Sequence, residues 1–333
     1  MILAGDIGGT KTILAIFDQI DERLEIVAEQ KFASRDHESL EAIVRKFVAE
    51  QGQTVERTCF GIAGPVKKGR CAATNLPWTV DVQALGKNVG LQPVELINDL
   101  EATAYGLALL EAGDCVILNP GAEDAEGNVA VIAAGTGLGE AGICRVANRH
   151  QPFACEGGHT DFAPRDELET ALFRFLQTRF GHVSYERVLS GPGIFNIYQF
   201  LREERPGMET DGLAQEMKEG DPPEVITRNA LEGRSDLCVS TLDMFVSIYG
   251  AEASNLALKI MATGGVFIAG GIAPKIIEKL KGDIFMRAFY SKGRLQNLLK
   301  NIPVRVVLNE KTALLGAAHY ARLRIGGRPL ILS

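Results

Sequence analysis

The chain has 333 residues, enough for two domains of ordinary size. Hydrophobic residues make up 46% and charged ones 23%, which excludes a disordered or collagen-like chain. With 35 Lys and Arg against 42 Asp and Glu the formal net charge is −7, which argues against a general nucleic-acid or acidic-membrane surface but not against a small anionic ligand held by backbone N–H groups.

In chain order, Ile2–Ala4 and Thr12–Phe17 read as strands around Gly5-Asp6-Ile7-Gly8-Gly9-Thr10-Lys11. This is a hairpin whose glycines are expected to supply the positive φ of a tight turn. Leu24–Glu29 is a third strand. Leu40, Ile43, Val44, Phe47 and Val48 recur on one helical face, which predicts a helix over 39–51. Thr58–Ile62 is a short buried strand ending in Gly64-Pro65. Pro93–Ile97 is another, ending in Asn98-Asp99, with a helix predicted over 101–112. Strand, polar tip and helix is the pattern that sets side chains at the carboxyl end of a sheet, where α/β proteins keep ligands.

A second unit is expected to begin near residue 110. Asn128–Ala134 runs as a strand into Gly135-Thr136-Gly137-Leu138-Gly139, and Ala141–Val146 resumes as a strand. The strand–glycine turn–strand pattern therefore occurs twice, which suggests a duplicated architecture. A helix is predicted over 166–180, stopped by Gly181. Residues 203–220 are polar and turn-rich and read as a surface excursion. Asp221-Pro222-Pro223-Glu224 reads as an N-cap with Pro at the first helical position. A long helix is predicted over 239–263, then a buried strand Gly265–Ala269 ending in Gly270-Gly271. Pro274 opens a helix over 275–280. A last strand, Ile302–Leu308, and a last helix over 313–323 follow.

Six cysteines (Cys59, Cys71, Cys115, Cys144, Cys155, Cys238) form no CxxC pair and do not cluster with His, so they read as buried free thiols rather than a zinc or disulfide framework. The opening MILAGDIGG has no basic region, and no apolar run approaches the roughly 20 residues of a bilayer span. A soluble cytoplasmic chain is expected.

Several segments carry candidate chemistry. The turn at 5–10 fits either a plain hairpin or a cradle of N–H groups for phosphate oxygens. Asp6 would repel phosphate, but it could hold Mg²⁺ through water. Lys11-Thr12 is not a Walker ending, because Thr10 stands where that motif needs Gly and a strand follows instead of a helix. The stretch 137–142 fits GxGxxG literally, but it too leads into a strand, which argues against a dinucleotide fold. Asn98-Asp99 fits either a helix N-cap or a general base taking a proton from an attacking hydroxyl. Glu156-Gly157-Gly158-His159 lacks further ligands at metal spacing and suits a polyol, whose hydroxyls pair with carboxylate and imidazole. Glu186 fits a first-turn acid equally well. Gly270-Gly271 permits either a bare turn or close approach of a flat ligand such as adenosine.

Taken together, GDIGGT (5–10), GIAGPV (61–66), TNLPW (74–78), INDLEA (97–102), AAGTGLG (133–139), EGGHTDFAP (156–164), YERVLSGPG (185–193), GGVFIAGGI (264–272) and ALLGAA (313–318) resemble the bacterial glucokinase family of the hexokinase–actin ATPase superfamily. The resemblance implies an α/β fold of two ribonuclease-H-like domains flanking a sugar–ATP cleft. The domains would span 1–109 plus about 303–333, and 110–302. It implies ATP-dependent phosphorylation of D-glucose to glucose 6-phosphate, with Asp99 as catalytic base. Asn75, Asn98, Asp99, Glu156, His159 and Glu186 would bind the sugar. Gly5, Asp6, Ile7, Gly8, Gly9 and Thr10 with Gly135, Thr136 and Gly137 would bind phosphate, and Gly270 and Gly271 would line the adenosine. It implies ATP and Mg²⁺, a homodimer, and no nucleic-acid or membrane partner.

The Glu156–His159 stretch is shared with the repressor/open-reading-frame/kinase group, but residues 160–180 hold no Cys, which points to the zinc-free branch. Lys11 departs from the Asn common there, so its role stays open between phosphate contact and solvated surface. A kinase for another hexose (mannose, N-acetylglucosamine or fructose) is the alternative. A sugar sensor is a further one, although the first turn begins at Gly5 and leaves no room before it for a DNA-binding segment.

Overall fold

The computed structural model describes residues 1–20, 23–73, 76–147, 149–326 and 330–332. Contacts divide the chain into two compact units, Met1–Gly113 with Ile143–Ala154 and Asn309–Ser333, and Asp114–Gly142 with Cys155–Leu308.

The first unit is built on β1 (Ile2–Ile7), β2 (Lys11–Ile20), β3 (Arg23–Ala33), α1 (Leu40–Gln51), β4 (Arg57–Ile62), a small ribbon of β5 (Arg70–Ala72) and β6 (Thr79–Asp81), α2 (Val82–Val89), β7 (Val94–Asn98) and α3 (Asp99–Gly106). Its sheet has the order β3-β2-β1-β4-β7. β1 runs antiparallel to β2 and parallel to β4, and β4 runs parallel to β7. The carboxyl ends of β1, β4 and β7 therefore share one edge. Alternating residues bury both faces, as a period of two requires. Leu3, Leu14, Ile16 and Phe60 pack with Leu40, Ile43, Val44 and Phe47 of α1. Ile2, Ala4, Ala15 and Phe17 pack with Leu314, Ala317, Ala318 and Ala321 of the helix Thr312–Gly326. That helix meets α3 backbone to backbone, since a Cβ at Gly106 or Gly316 would overlap the facing Thr312 or Ala102 carbonyl.

The second sheet is ordered β11-β10-β9-β12-β13-β8; β10 from Ile143 onward and β11 as far as Ala154 are counted with the first unit, the rest with the second. Its strands are β8 (Cys115–Asn119), β9 (Val129–Ala134), β10 (Leu138–Val146), β11 (Arg149–Cys155), β12 (Gly265–Ala269) and β13 (Val304–Val307). The helices are α4 (Glu167–Phe180), α5 (Gly191–Glu204), α6 (Asp211–Glu219), α7 (Pro222–Leu231), α8 (Asp236–Ile260), α9 (Ile277–Lys281), α10 (Asp283–Tyr290) and α11 (Gln296–Lys300). The core centres on α8, whose Leu242, Phe245, Val246, Tyr249, Ala253 and Leu256 are all buried.

Five expectations need correction. The excursion at 203–220 contains the helix α6, capped by the Thr210 hydroxyl and burying only Leu213, so its polar face had hidden its period. β13 pairs with β12 and β8, so the return to the first unit falls at Asn309 and not near 303. The helix expected over 101–112 starts at Asp99 and ends at Gly106, giving way to a 3-10 turn. Gly8 does not take positive φ; it is needed for space, because a Cβ would lie 3.1 Å from the Lys11 carbonyl oxygen. Asp221 holds the cap position of α7 but makes no capping hydrogen bond with its side chain.

Candidate active site

The carboxyl edge of the first sheet gathers the first group of candidates. β1 ends at Ile7, and the turn through Gly8, Gly9 and Thr10 closes with the Gly8 N–H donating to the Lys11 carbonyl at 3.0 Å. Ser34, fully buried, stitches this turn from outside it. Its hydroxyl donates to the Gly8 carbonyl at 2.8 Å and pairs with the Thr12 hydroxyl at 3.0 Å, while its N–H donates to the Thr10 carbonyl at 3.0 Å. Gly5 lies below the tip inside β1. A Cβ there would come within 2.6 Å of Phe60 and 2.7 Å of Leu14, so the structure places it in the packing of the strand and not in the turn.

Asp6 sits between Ile13 of β2 and Gly61 of β4. Burial pushes its carboxyl up to about 6, with Lys11 pulling the other way. A carboxylate that loses hydration on folding gains from a cation, and its oxygens suit the hard, largely hydrated Mg²⁺. No group of three His, Cys, Asp or Glu able to hold a metal occurs among the described residues.

β7 delivers Asn98 and Asp99 to the same edge. Asn98 Oδ1 caps α3, accepting from Leu100 at 2.9 Å and Glu101 at 3.3 Å, while its Nδ2 donates to the Gly64 carbonyl at 3.2 Å. Any sugar contact by Asn98 thus falls to its second amide hydrogen. Asp99 occupies the first turn of α3, half-buried, where the helix N-terminus favours an anionic side chain. The Leu100 N–H donates to its Oδ1 at 2.9 Å and orients the carboxylate. Gly61 lets α3 approach β4: a Cβ there would lie 2.8 Å from Ala102 Cβ and 3.7 Å from Asp99 Cα. Asn75 lies outside the described residues.

The second group is gathered by the start of β10. β9 and β10 are neighbours joined by Gly135-Thr136-Gly137, a connection short enough only for an antiparallel pair. Within the turn Gly135 N–H donates to Gly137 O at 2.8 Å, and Gly191 N–H, at the start of α5, donates to Gly135 O at 2.8 Å. The Leu138 N–H donates to Glu186 Oε2 at 3.0 Å. A Cβ at Gly137 would overlap that same oxygen, and one at Gly158 would overlap the Leu138 carbonyl oxygen. One residue, Leu138, therefore meets Glu186 through its N–H and Gly158 through its carbonyl, at the end of the glycine turn. Glu156 and His159 themselves are exposed, with the His159 N–H donating to the Glu156 carbonyl at 3.1 Å. Gly270 takes φ 84° and lies against Ala134, a Cβ there falling 2.9 Å from Ala134 N; Gly271 faces open space.

Sequence reasoning missed Ser34, the Leu138 N–H and the buried Tyr249, whose hydroxyl accepts from Ala134 N–H at 3.2 Å where β9 enters the turn. A backbone amide carries no side-chain signal, and Ser34 acts across 26 residues on Gly8, so no local pattern marks either.

A family model described as Glucokinase matches residues 3–324. The glucokinase of Nostoc punctiforme is 41% identical over 333 residues, covering 96% of this chain and 98% of its own. A crystal structure of glucokinase from an Antarctic psychrotroph is 32% identical with a TM-score of 0.81, covering 96% of this chain and 98% of its own. A glucokinase of the repressor/open-reading-frame/kinase family from Streptomyces griseus, solved with glucose and AMPPNP, shares the fold at a TM-score of 0.66 and 24% identity, covering 96% of this chain and 99% of its own.

Proposed function

The chain belongs to the glucokinase family, and from that premise we propose how its own residues carry out ATP-dependent phosphorylation of glucose. The observation that carries the reading is Asp99, held at the end of β7 and the first turn of α3 with its carboxylate oriented by Leu100 N–H. In this reading Asp99 accepts the proton of the glucose 6-hydroxyl as that oxygen attacks the terminal phosphoryl group of ATP. Phosphoryl transfer needs little covalent help, so the remaining residues position and stabilise charge.

Glu156, His159 and Glu186 pair with sugar hydroxyls, and Asn98 adds one donor. The N–H groups of the turns at 8–10 and 135–137, apart from those of Gly8 and Gly135 that close the turns themselves, face phosphate oxygens, and Gly270-Gly271 flanks the adenosine. Asp6 would hold Mg²⁺ through water, and the ion when bound would neutralise charge on the phosphates. A homodimer in the cytoplasm completes the proposal; among the described residues no helix is long and apolar enough to cross a membrane.

The test is coupled ADP release with MgATP and a hexose panel, beside Asp99→Asn. Glucose is expected to turn over faster than mannose, fructose or N-acetylglucosamine. Asp99→Asn should lower kcat by about 10²–10⁴-fold while glucose still binds. Near-normal turnover in that variant would remove Asp99 from the base role, and a different preferred hexose would change the substrate.

A further inference from the structure

Behind the turn Glu156–His159 lies a buried acid pair that the reaction itself does not use. Glu140, the fourth residue of the stretch 137–142, points into the second unit and is 2% exposed; Glu252 of α8 is 0% exposed. The Glu252 carboxyl is near enough to Glu140 to oppose its ionisation. Glu140 Oε1 is buried without a hydrogen-bond partner, and Oε2 lies so close to Gly157 that a methyl there would overlap it. The Cys155 thiol donates to the Glu140 carbonyl at 3.3 Å, so both the backbone and the side chain of Glu140 underlie the start of the turn.

Glu252 is served by Asn255 Nδ2 at 2.7 Å and Lys259 Nζ at 3.4 Å, and Lys259 is itself 54% exposed. The titratable groups around Glu140 are thus Glu252 and Lys259 of α8, Cys155 at the end of β11, Tyr185 through Glu252, and Tyr249 below the sheet. Lys292 joins through Asn255 Oδ1. Lys259 and Lys292 serve Glu252 and its partner Asn255 and leave Glu140 Oε1 unpaired, whereas a single proton between the two carboxyls removes one buried charge.

We propose that Glu140 and Glu252 form a proton-sharing carboxyl pair that positions the sugar-binding turn Glu156–His159, with Glu140 as a positioning residue acting through Gly157. This rests on the reading of Glu156 and His159 as sugar ligands. Burial first, and the Glu252 carboxyl second, push the Glu140 carboxyl up to about 8, against Lys259. Below that pH the pair is neutral on one side and the turn rests on it. Above it two like charges adjoin beneath Gly157, and their repulsion is relieved by displacing the turn that lies against Glu140 Oε2.

The experiment is calorimetric titration of glucose into wild type, Glu140→Gln and Glu252→Gln from pH 6 to pH 9, with ADP release at pH 7 run separately. Wild type is expected to lose about tenfold in glucose affinity between pH 7 and pH 9, the loss for one required proton that titrates at about 8. Both Gln variants, which cannot place two charges together, should hold their neutral-pH affinity across that range. A protonated-carboxyl C=O infrared band should disappear in wild type as pH rises through about 8 and be missing in Glu140→Gln.

An equal alkaline loss in wild type and Glu140→Gln overturns the proposal, since Lys292 or another group would then be responsible. A flat wild-type profile overturns it as well, and so does an absence of glucose binding. Glucose binding without ADP release overturns the kinase reading alone, and the affinity profile still decides the pair.

Discussion

The turn at 8–10 in the first unit and the turn at 135–137 in the second both link neighbouring strands, yet different chemistry holds them. The first is stitched by a neutral hydroxyl, Ser34, and has a half-buried acid, Asp6, just before it. The second is stitched by a carboxylate, Glu186 on the Leu138 N–H. In the first turn the stitch and the chemistry reside on different residues, so each can be altered alone. In the second, the residue that fixes the backbone is also the proposed sugar ligand, and no substitution there leaves one role untouched. The glycines differ for the same reason. The contact a Cβ would meet at Gly8 is a carbonyl 3.1 Å away that can yield by a few tenths of an ångström, whereas at Gly137 it is the Glu186 carboxylate itself.

That difference gives the largest expected effect. Gly137→Ala should drive Glu186 off Leu138 and displace both turn and sugar ligand, lowering kcat/KM for glucose by about a hundredfold, or about 2.7 kcal/mol. Gly8→Ala should cost only a few-fold. Steady-state ADP release with the two variants side by side measures the contrast. Equal losses would mean the two turns tolerate a side chain alike and the comparison fails.

Much of the frame was legible because its elements announce themselves. β4, β9 and β12 are short apolar runs ended by glycine, and α1 shows its face through Leu40, Ile43, Val44 and Phe47. β11 was not legible: Arg149, His150, Gln151 and Pro152 break any alternation, and a neighbouring strand is what orders it. In the site, residue types and order were legible but not their division of labour. Asn98 read as a cap from its position and as a sugar ligand from the family resemblance, and the structure engages its Oδ1 as a cap. Glu186 read as a first-turn acid, and its partner is an amide 48 residues away. Glu140 fell in the stretch before the strand expected over 141–146, and the structure takes it into β10; its meaning depends on Glu252, which arrives from a distant helix.

Asp6 sharpens the comparison through pH. Its folded-state value, about 6, lies above the ordinary 3.8, so the folded chain holds this proton more firmly than the unfolded one. The associated stability is fully present below pH 3.8 and is lost as pH rises through 6; at neutral pH the wild type carries the cost of the buried charge. Asp6→Asn removes that cost. Because Asp6 is not wholly shielded from water, the gain should be about 1–2 kcal/mol at pH 7.5 rather than the full value of about 3 for two pKa units. It should vanish near pH 4. Urea denaturation at the two pH values measures it, and a gain of the same size at both would show that the charge of Asp6 is not the cause.

Ser34→Ala is the smallest and most local of these changes. It leaves the Gly8 carbonyl and the Thr12 hydroxyl without their buried partner, at a cost of about 1 kcal/mol or slightly more. The Ser34 N–H to Thr10 carbonyl bond survives, since it belongs to the backbone. The turn should therefore loosen on the Gly8 side only, raising KM for ATP a few-fold while kcat and KM for glucose stay near wild type. Serine and threonine hydroxyls are separable here in a way the carboxylate of Glu186 is not. Thr12→Val, which leaves the Ser34–Gly8 bond in place, should lower stability without moving KM for ATP. If Ser34→Ala and Thr12→Val raise that KM equally, the turn depends on the packing of strand β2 as a whole, and the single hydroxyl on Gly8 is not what holds it.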